Sequence, residues 1–173
     1  MNSSSEITSS GGFANHTSGT LEDFVRHKLV SNGYTEFWDH KEQVFANRGT
    51  VGGKQFALQV HVGETIYKTK RVVDVLVINP ELFPDGLIIE CKWQQSPGSV
   101  DEKYPYLVWN IIKTKVPTIV LLDGEGYKPA AMEWLKDQAN PSSALIAVYN
   151  MMEFQRATNN GLFSKPNPLL TVG

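Results

Sequence analysis

The chain has 173 residues, 41% hydrophobic and 20% charged, which suits one domain with one sizeable core and excludes a low-complexity or fibrous protein. Its net charge is −2 and its pI about 6.1, so there is no overall basic surface for non-specific nucleic-acid binding; a polyanion would have to meet a local patch. One cysteine excludes an internal disulfide, cysteine and histidine are too sparse for a structural zinc site, and no apolar run is long enough to span a membrane.

The N-terminus lacks the basic-then-apolar pattern of a secretory leader, and a reducing cytoplasm is the simplest setting. Residues 1–18, rich in Ser, Gly, Asn and Thr, read as a disordered tail, leaving 19–173 as a single domain. Thr20 is the expected N-cap of a first helix whose apolar stripe is Leu21, Phe24, Val25 and Leu29, and Asn32-Gly33 is its stop. The segment 34–51 has no clean period. From Lys54 the pattern turns to strands: Phe56, Leu58, Val60 and Val62 alternate, and Gly63-Glu64 reads as a turn. Residues 65–78 then form one long strand or two short ones. Asn79 to Gly86 is turn chemistry, and Leu87 to Trp93 completes a hairpin. A polar loop leads to a helix over 101–113, with Pro105 in its first turn. A strand over 118–122, a helix over 129–138 and a strand over 144–149 follow. The order predicts a mixed α/β domain: an antiparallel meander, then a parallel crossover strand, with helices alongside.

Two charges interrupt this pattern. Asp74 breaks the run Val72 to Ile78, where an unpaired buried carboxylate would cost several kcal/mol. Glu90 and Lys92 share one face of the apolar strand Leu87 to Trp93, because alternate residues of a strand point the same way. Acid-x-Lys also occurs at Asp39-His40-Lys41 and Asp101-Glu102-Lys103, but only Glu90-Cys91-Lys92 is embedded in an apolar strand. Pairing of the two strands would bring Asp74, Glu90 and Lys92 together. Either acid alone reads equally well as half of a structural ion pair with Lys92 or Arg71. Two close carboxylates otherwise call for a divalent cation, and oxygen ligands suit Mg2+ or Mn2+. Glu22, on the face of the first helix that carries Val25 and Leu29, either points at the sheet or serves the helix dipole. Trp93, Trp109 and Trp134 fall within apolar patterns and read as core. Lys68, Lys70 and Arg71 are a candidate basic lip.

These residues resemble the PD-(D/E)XK nuclease superfamily over roughly residues 20 to 150. Asp74 matches its motif aspartate, Glu90-Cys91-Lys92 its (D/E)XK element, and Glu22 the acid that many members carry on the first helix. The departure is Val73, where the motif has proline; the literal Pro84-Asp85 is only four residues before Glu90 and reads as a turn. The resemblance implies a restriction-endonuclease-like fold and metal-dependent hydrolysis of DNA. Asp74, Glu90 and the Cys91 carbonyl would hold Mg2+, with Mn2+ able to substitute and Glu22 completing the shell. Asp74, Glu90, Lys92 and Glu22 would form the catalytic set, with Lys92 beside the attacking water and the phosphate. Gln94, Ser96, Ser99 and Lys103 would contact DNA, or else make ordinary loop hydrogen bonds. The expected activity is that of a small type II restriction endonuclease acting as a homodimer. A repair or junction-resolving nuclease and a catalytically silent nucleic-acid-binding domain are the alternatives.

Overall fold

In the computed structural model, which describes residues 13–37, 41–97 and 101–167, the chain opens with helix α1 (Phe13–Ser31). This corrects the expected start. Thr20 lies inside the helix, and residues 13–18 of the expected tail are helical, while residues 1–12 lie outside the described residues. A nucleated helix gains a backbone hydrogen bond with each added residue, and no proline between Phe13 and Thr20 stops it growing toward the N-terminus. Its other end is as the sequence indicates. Gly33 adopts φ +83°, and the N–H groups of Tyr34 and Gly33 donate to the carbonyls of Leu29 and Val30, a Schellman closure.

A short strand β1 (Thr35–Glu36) and a one-turn helix α2 (Lys41–Val44) fill the segment without a clean period. The meander is β2 (Gln55–Glu64), β3 (Lys70–Asn79) and β4 (Phe83–Trp93), paired antiparallel. Helix α3 (Tyr104–Thr114) leads to β5 (Thr118–Asp123), and helix α4 (Pro129–Asp137) to β6 (Leu145–Tyr149). The strands stand in chain order in one six-stranded sheet, with β1 parallel to β2 and with β4, β5 and β6 mutually parallel. Helix α5 (Met151–Asn159) closes the element order.

Side-chain alternation on β4 divides the core. Leu87, Ile89 and Cys91 face α1 and α5, burying Leu21, Val25, Leu29, Phe154 and Phe163. Ile88 faces the opposite side, where Val44 covers β2 and β3, and where α3 and α4 cover β5 and β6 through Ile111, Met132 and Leu135. The result is a three-layer α/β/α domain with the C-terminal end of β4 near the middle of the sheet.

Several strand details differ from the sequence reading. Phe56 and Leu58 pack toward α1, but Val60 and Val62 join the opposite layer, because Gln59 between them adopts φ +53° and breaks the alternation. Residues 63–64 belong to β2, and the reversal lies at 65–69. Phe83 to Gly86 belong to β4, because the Asn79 side chain accepts from the N–H groups of Glu81 and Leu82 and tightens the reversal to residues 80–82. Trp109 and Trp134 are exposed rather than core, since the Val108 and Ile111 flank of α3 and the Met132 and Leu135 flank of α4 face the sheet. Trp93 is half-buried against the α1 layer.

Candidate active site

The meander places Asp74 opposite Glu90, at the point where β3 and β4 part. Their regular pairing runs through Val77↔Leu87 to Val75↔Ile89 and stops. On β4 the N–H groups of Leu87, Ile89 and Cys91 point toward β3, so past the last pair the Cys91 N–H has no ladder carbonyl to meet. The Asp74 carboxylate takes that place, with Oδ2 accepting from Cys91 N at 2.7 Å. A carboxylate in an apolar strand is thus held by replacing one rung of the sheet.

Lys92 joins the two acids. Its Nζ donates to Asp74 Oδ2 at 3.1 Å and to Glu90 Oε2 at 3.0 Å. Burial of the ammonium on its own would lower its pKa, but the charges of Glu90 and Asp74 outweigh this and hold it above the ordinary lysine range. Glu90 is buried, and its second oxygen, Oε1, accepts from Arg71 Nη2 at 2.9 Å. Arg71 is itself buried rather than part of a basic lip. It donates to the Asn110 carbonyl at 2.6 Å and to the Thr114 hydroxyl, so α3 fixes the guanidinium and the guanidinium fixes Glu90. Arg71 as Glu90's anchor is the residue that sequence reasoning underrated; a cation directly before the run Val72 to Ile78 was its signal.

Glu22 reaches the cluster through an intermediary. Gln59 Nε2 donates to Glu22 Oε1 at 3.0 Å and lies 3.4 Å from Asp74 Oδ1. Glu22 therefore points at the sheet. Burial first, and the nearby Asp74 charge next among the raising influences, keep its carboxyl above the ordinary range, against the opposing Gln59 hydrogen bond. Gln59 was not anticipated; its left-handed backbone opposite Asp74 is invisible to an alternation pattern.

Could these residues hold a cation? Among the described residues no group of three or more His, Cys, Asp or Glu side chains is arranged around one point as a ready-made metal site. The donors are the Asp74 and Glu90 carboxylates and the Cys91 backbone carbonyl, with Glu22 behind Gln59. Their chemistry fits a hard divalent ion. So does the charge balance: the carboxylates of Asp74, Glu90 and Glu22 stand against the two cations Lys92 and Arg71. The Cys91 thiol packs in the α1 layer, and burial, followed by the charge of Asp74, pushes it well above the usual thiol range. It is a packed thiol and neither a thiolate ligand nor a nucleophile.

The residues expected to contact DNA separate. Gln94 is buried, and its side chain is used internally: Nε2 donates to Asp101 Oδ1 and the Gly126 carbonyl, both at 3.1 Å, and Oε1 accepts from the Tyr104 hydroxyl. Burial first, then the Asp101 charge, pushes that phenol up to about 12, so it remains a donor. The Gln94 backbone is clasped as well, its N–H bonded to the Asp123 carbonyl and its carbonyl to the Gly126 N–H. Gly124 permits the approach: at φ +110° a Cβ there would lie 2.1 Å from the Gln94 oxygen. Gln94 therefore holds the loop and presents no polar group outward. Ser96 and Lys103 are exposed on either side of this clasp, and Ser99 lies outside the described residues. Pro84 and Asp85 are exposed at the far end of β4, where the Asp85 carbonyl accepts from Arg48 Nε, well apart from the cluster.

Residues 13–162 match a family model described as a PD-(D/E)XK nuclease superfamily domain. No curated protein and no solved structure matches the chain.

Proposed function

Because the chain belongs to the PD-(D/E)XK nuclease superfamily, we propose that it is a Mg2+-dependent endonuclease acting on DNA, with Asp74, Glu90 and Lys92 as its catalytic residues. The observation that carries this reading is the Lys92 ammonium lying within 3.1 Å of both carboxylates where β3 and β4 separate. Such a cluster serves stability poorly, because buried ion pairs gain little over apolar packing. It suits a phosphodiester, whose negative charge grows as its phosphorus is attacked.

Asp74, Glu90 and the Cys91 carbonyl would hold Mg2+, with Mn2+ as a substitute and Glu22 as an outer acid behind Gln59. Bound there, the ion would supply charge against the phosphate and a more acidic water. The chain's own residues do the rest. Arg71 keeps Glu90 oriented, and the Cys91 N–H keeps Asp74 turned toward the cluster. Lys92 carries a proton it does not readily lose, so it offers a positive donor to a phosphate oxygen or to the attacking water. Ser96 and Lys103, both exposed, would meet the sugar-phosphate backbone. In this reading both strands of a duplex are cut by two copies of the chain, each supplying one site.

A supercoiled-plasmid assay tests the proposal. Wild type should nick or linearise the plasmid with Mg2+ and not with EDTA. Lys92→Ala and Asp74→Asn should each lower the rate by about 10²–10³. Asp74→Asn should also weaken Mn2+ binding, read calorimetrically without substrate. Equal cleavage by all three proteins would remove these residues from the mechanism; metal-independent binding without cleavage would favour a silent nucleic-acid-binding domain.

A further inference from the structure

A cleft of about 310 Å³ opens from Glu90 and Lys92 and runs between the β2–β3 turn and α3. At its rim Tyr106 of α3 stacks on Tyr67 of the turn, with ring centroids 5.1 Å apart and planes 22° apart. Tyr67 is 73% exposed, so its outer face meets water. Its inner face is covered by Tyr106, and the turn that carries it is tied to α3. The Ile66 N–H donates to Asn110 Oδ1 at 2.8 Å, Lys113 Nζ to the Thr65 carbonyl at 2.6 Å, and the Thr65 and Thr69 hydroxyls bond at 2.7 Å. Asn110 also takes the Arg71 guanidinium on its carbonyl, so one residue of α3 mounts both the aromatic pair and the anchor of Glu90. Lys70 and Lys103, both exposed, add positive charge along the cleft between them.

From this geometry we propose that the cleft is a subsite for an unpaired nucleic-acid strand, with a base stacked on the outer face of Tyr67 and adjacent phosphates at Lys70 and Lys103. The inference rests on the nuclease reading above and adds to it that a strand is unpaired, or splayed out of its duplex, next to the cleaved bond. A base inside a duplex has both faces covered by its neighbours, so only an unpaired or splayed base can use an open ring. Lysines flanking the ring meet the backbone that such a base brings with it.

The test is fluorescence anisotropy of the full chain in EDTA, where binding proceeds without cleavage. The probes are a labelled single strand in DNA and RNA versions, a blunt duplex, and the same duplex with a single-stranded overhang. The single-stranded and overhang probes should bind more tightly than the blunt duplex. Tyr67→Ala should weaken them by about tenfold or more, Tyr67→Phe should keep the wild-type affinity, and neither change should alter blunt-duplex binding. Either sugar meets the expectation. The proposal is overturned if Tyr67→Ala leaves single-strand affinity unchanged or weakens blunt duplex equally. A drop in mass by light scattering for Tyr67→Ala would also overturn it, because the ring would then serve self-association. Failure of the plasmid assay with the Tyr67 pattern intact would sink the nuclease reading and leave the strand subsite; the converse would sink only the subsite.

Discussion

Lys92 and Gln94 stand two residues apart at the end of β4, each the hub of a polar cluster, and the clusters are built to opposite rules. Around Lys92 the carboxylates of Asp74, Glu90 and Glu22 face the cations Lys92 and Arg71, the lysine side chain is one-third exposed, and the cleft reaches it. Around Gln94 the side chain is neutral and buried, its amide atoms bond Tyr104, Asp101 and Gly126, and Asp101 in turn pairs with Lys128 at 3.7 Å. Polar atoms in the interior are therefore not by themselves a sign of chemistry. An unbalanced charge with access to solvent marks the candidate site, whereas a neutral amide with both its ends bonded internally marks a structural clasp.

Three measurements sharpen this contrast. Arg71→Met should have the largest effect on stability, a loss of roughly 3 kcal/mol by chemical denaturation. That is the low end for breaking a buried pair, because Lys92 still holds the second oxygen of Glu90. Lys92→Met should cost distinctly less stability while abolishing most cleavage; equal destabilisation by the two would erase the separation of anchor from catalyst. Gln94→Leu should come next. It leaves the Tyr104 hydroxyl without its acceptor and should cost about 1–3 kcal/mol, seen as a lower melting temperature. Cleavage per folded molecule should hold at low temperature, and a fall in cleavage without a fall in melting temperature would place Gln94 with Lys92 after all.

The smallest effect belongs to a surface ion pair, where Lys136 Nζ meets Glu153 Oε1 at 2.7 Å at the start of α5. Partial burial would raise the Glu153 carboxyl, but the Lys136 hydrogen bond and the Asn150 backbone N–H lower it below the ordinary range. A folded-state pKa below the unfolded one gives stability that is present above the unfolded value and is lost as pH falls through the folded value. Glu153→Gln should therefore cost about 1 kcal/mol or less at neutral pH, with the difference from wild type vanishing in acid. Urea denaturation across a pH series reads this directly.

Much of the candidate site was legible before any coordinates. Asp74, Glu90 and Lys92 stand out because charges in apolar strands need partners, and their pairing across a hairpin follows from alternation alone. For Glu22 the helical spacing left two readings, facing the sheet or serving the helix dipole, and its bond to Gln59 turns it toward the sheet. The helix α5 was missed, although Asn150 and Glu153 form a capping box whose Asn-x-x-Glu spacing signals a helix start. The exposure of Trp109 and Trp134 was missed because a periodic stripe does not say which of its flanks the sheet will cover.

The sequence by itself determined the order and type of the main elements, and which charges must find partners, because periodicity and the cost of burying an ion are local properties of the chain. Only the tertiary structure decided that Gln59 would take a left-handed backbone opposite Asp74, that Arg71 would take one oxygen of Glu90 while Lys92 took the other, and that Gln94 would be spent inside. Each of those outcomes depends on what a distant segment brings to the same point: α1 for Gln59, α3 for Arg71, and the loop after β5 for Gln94.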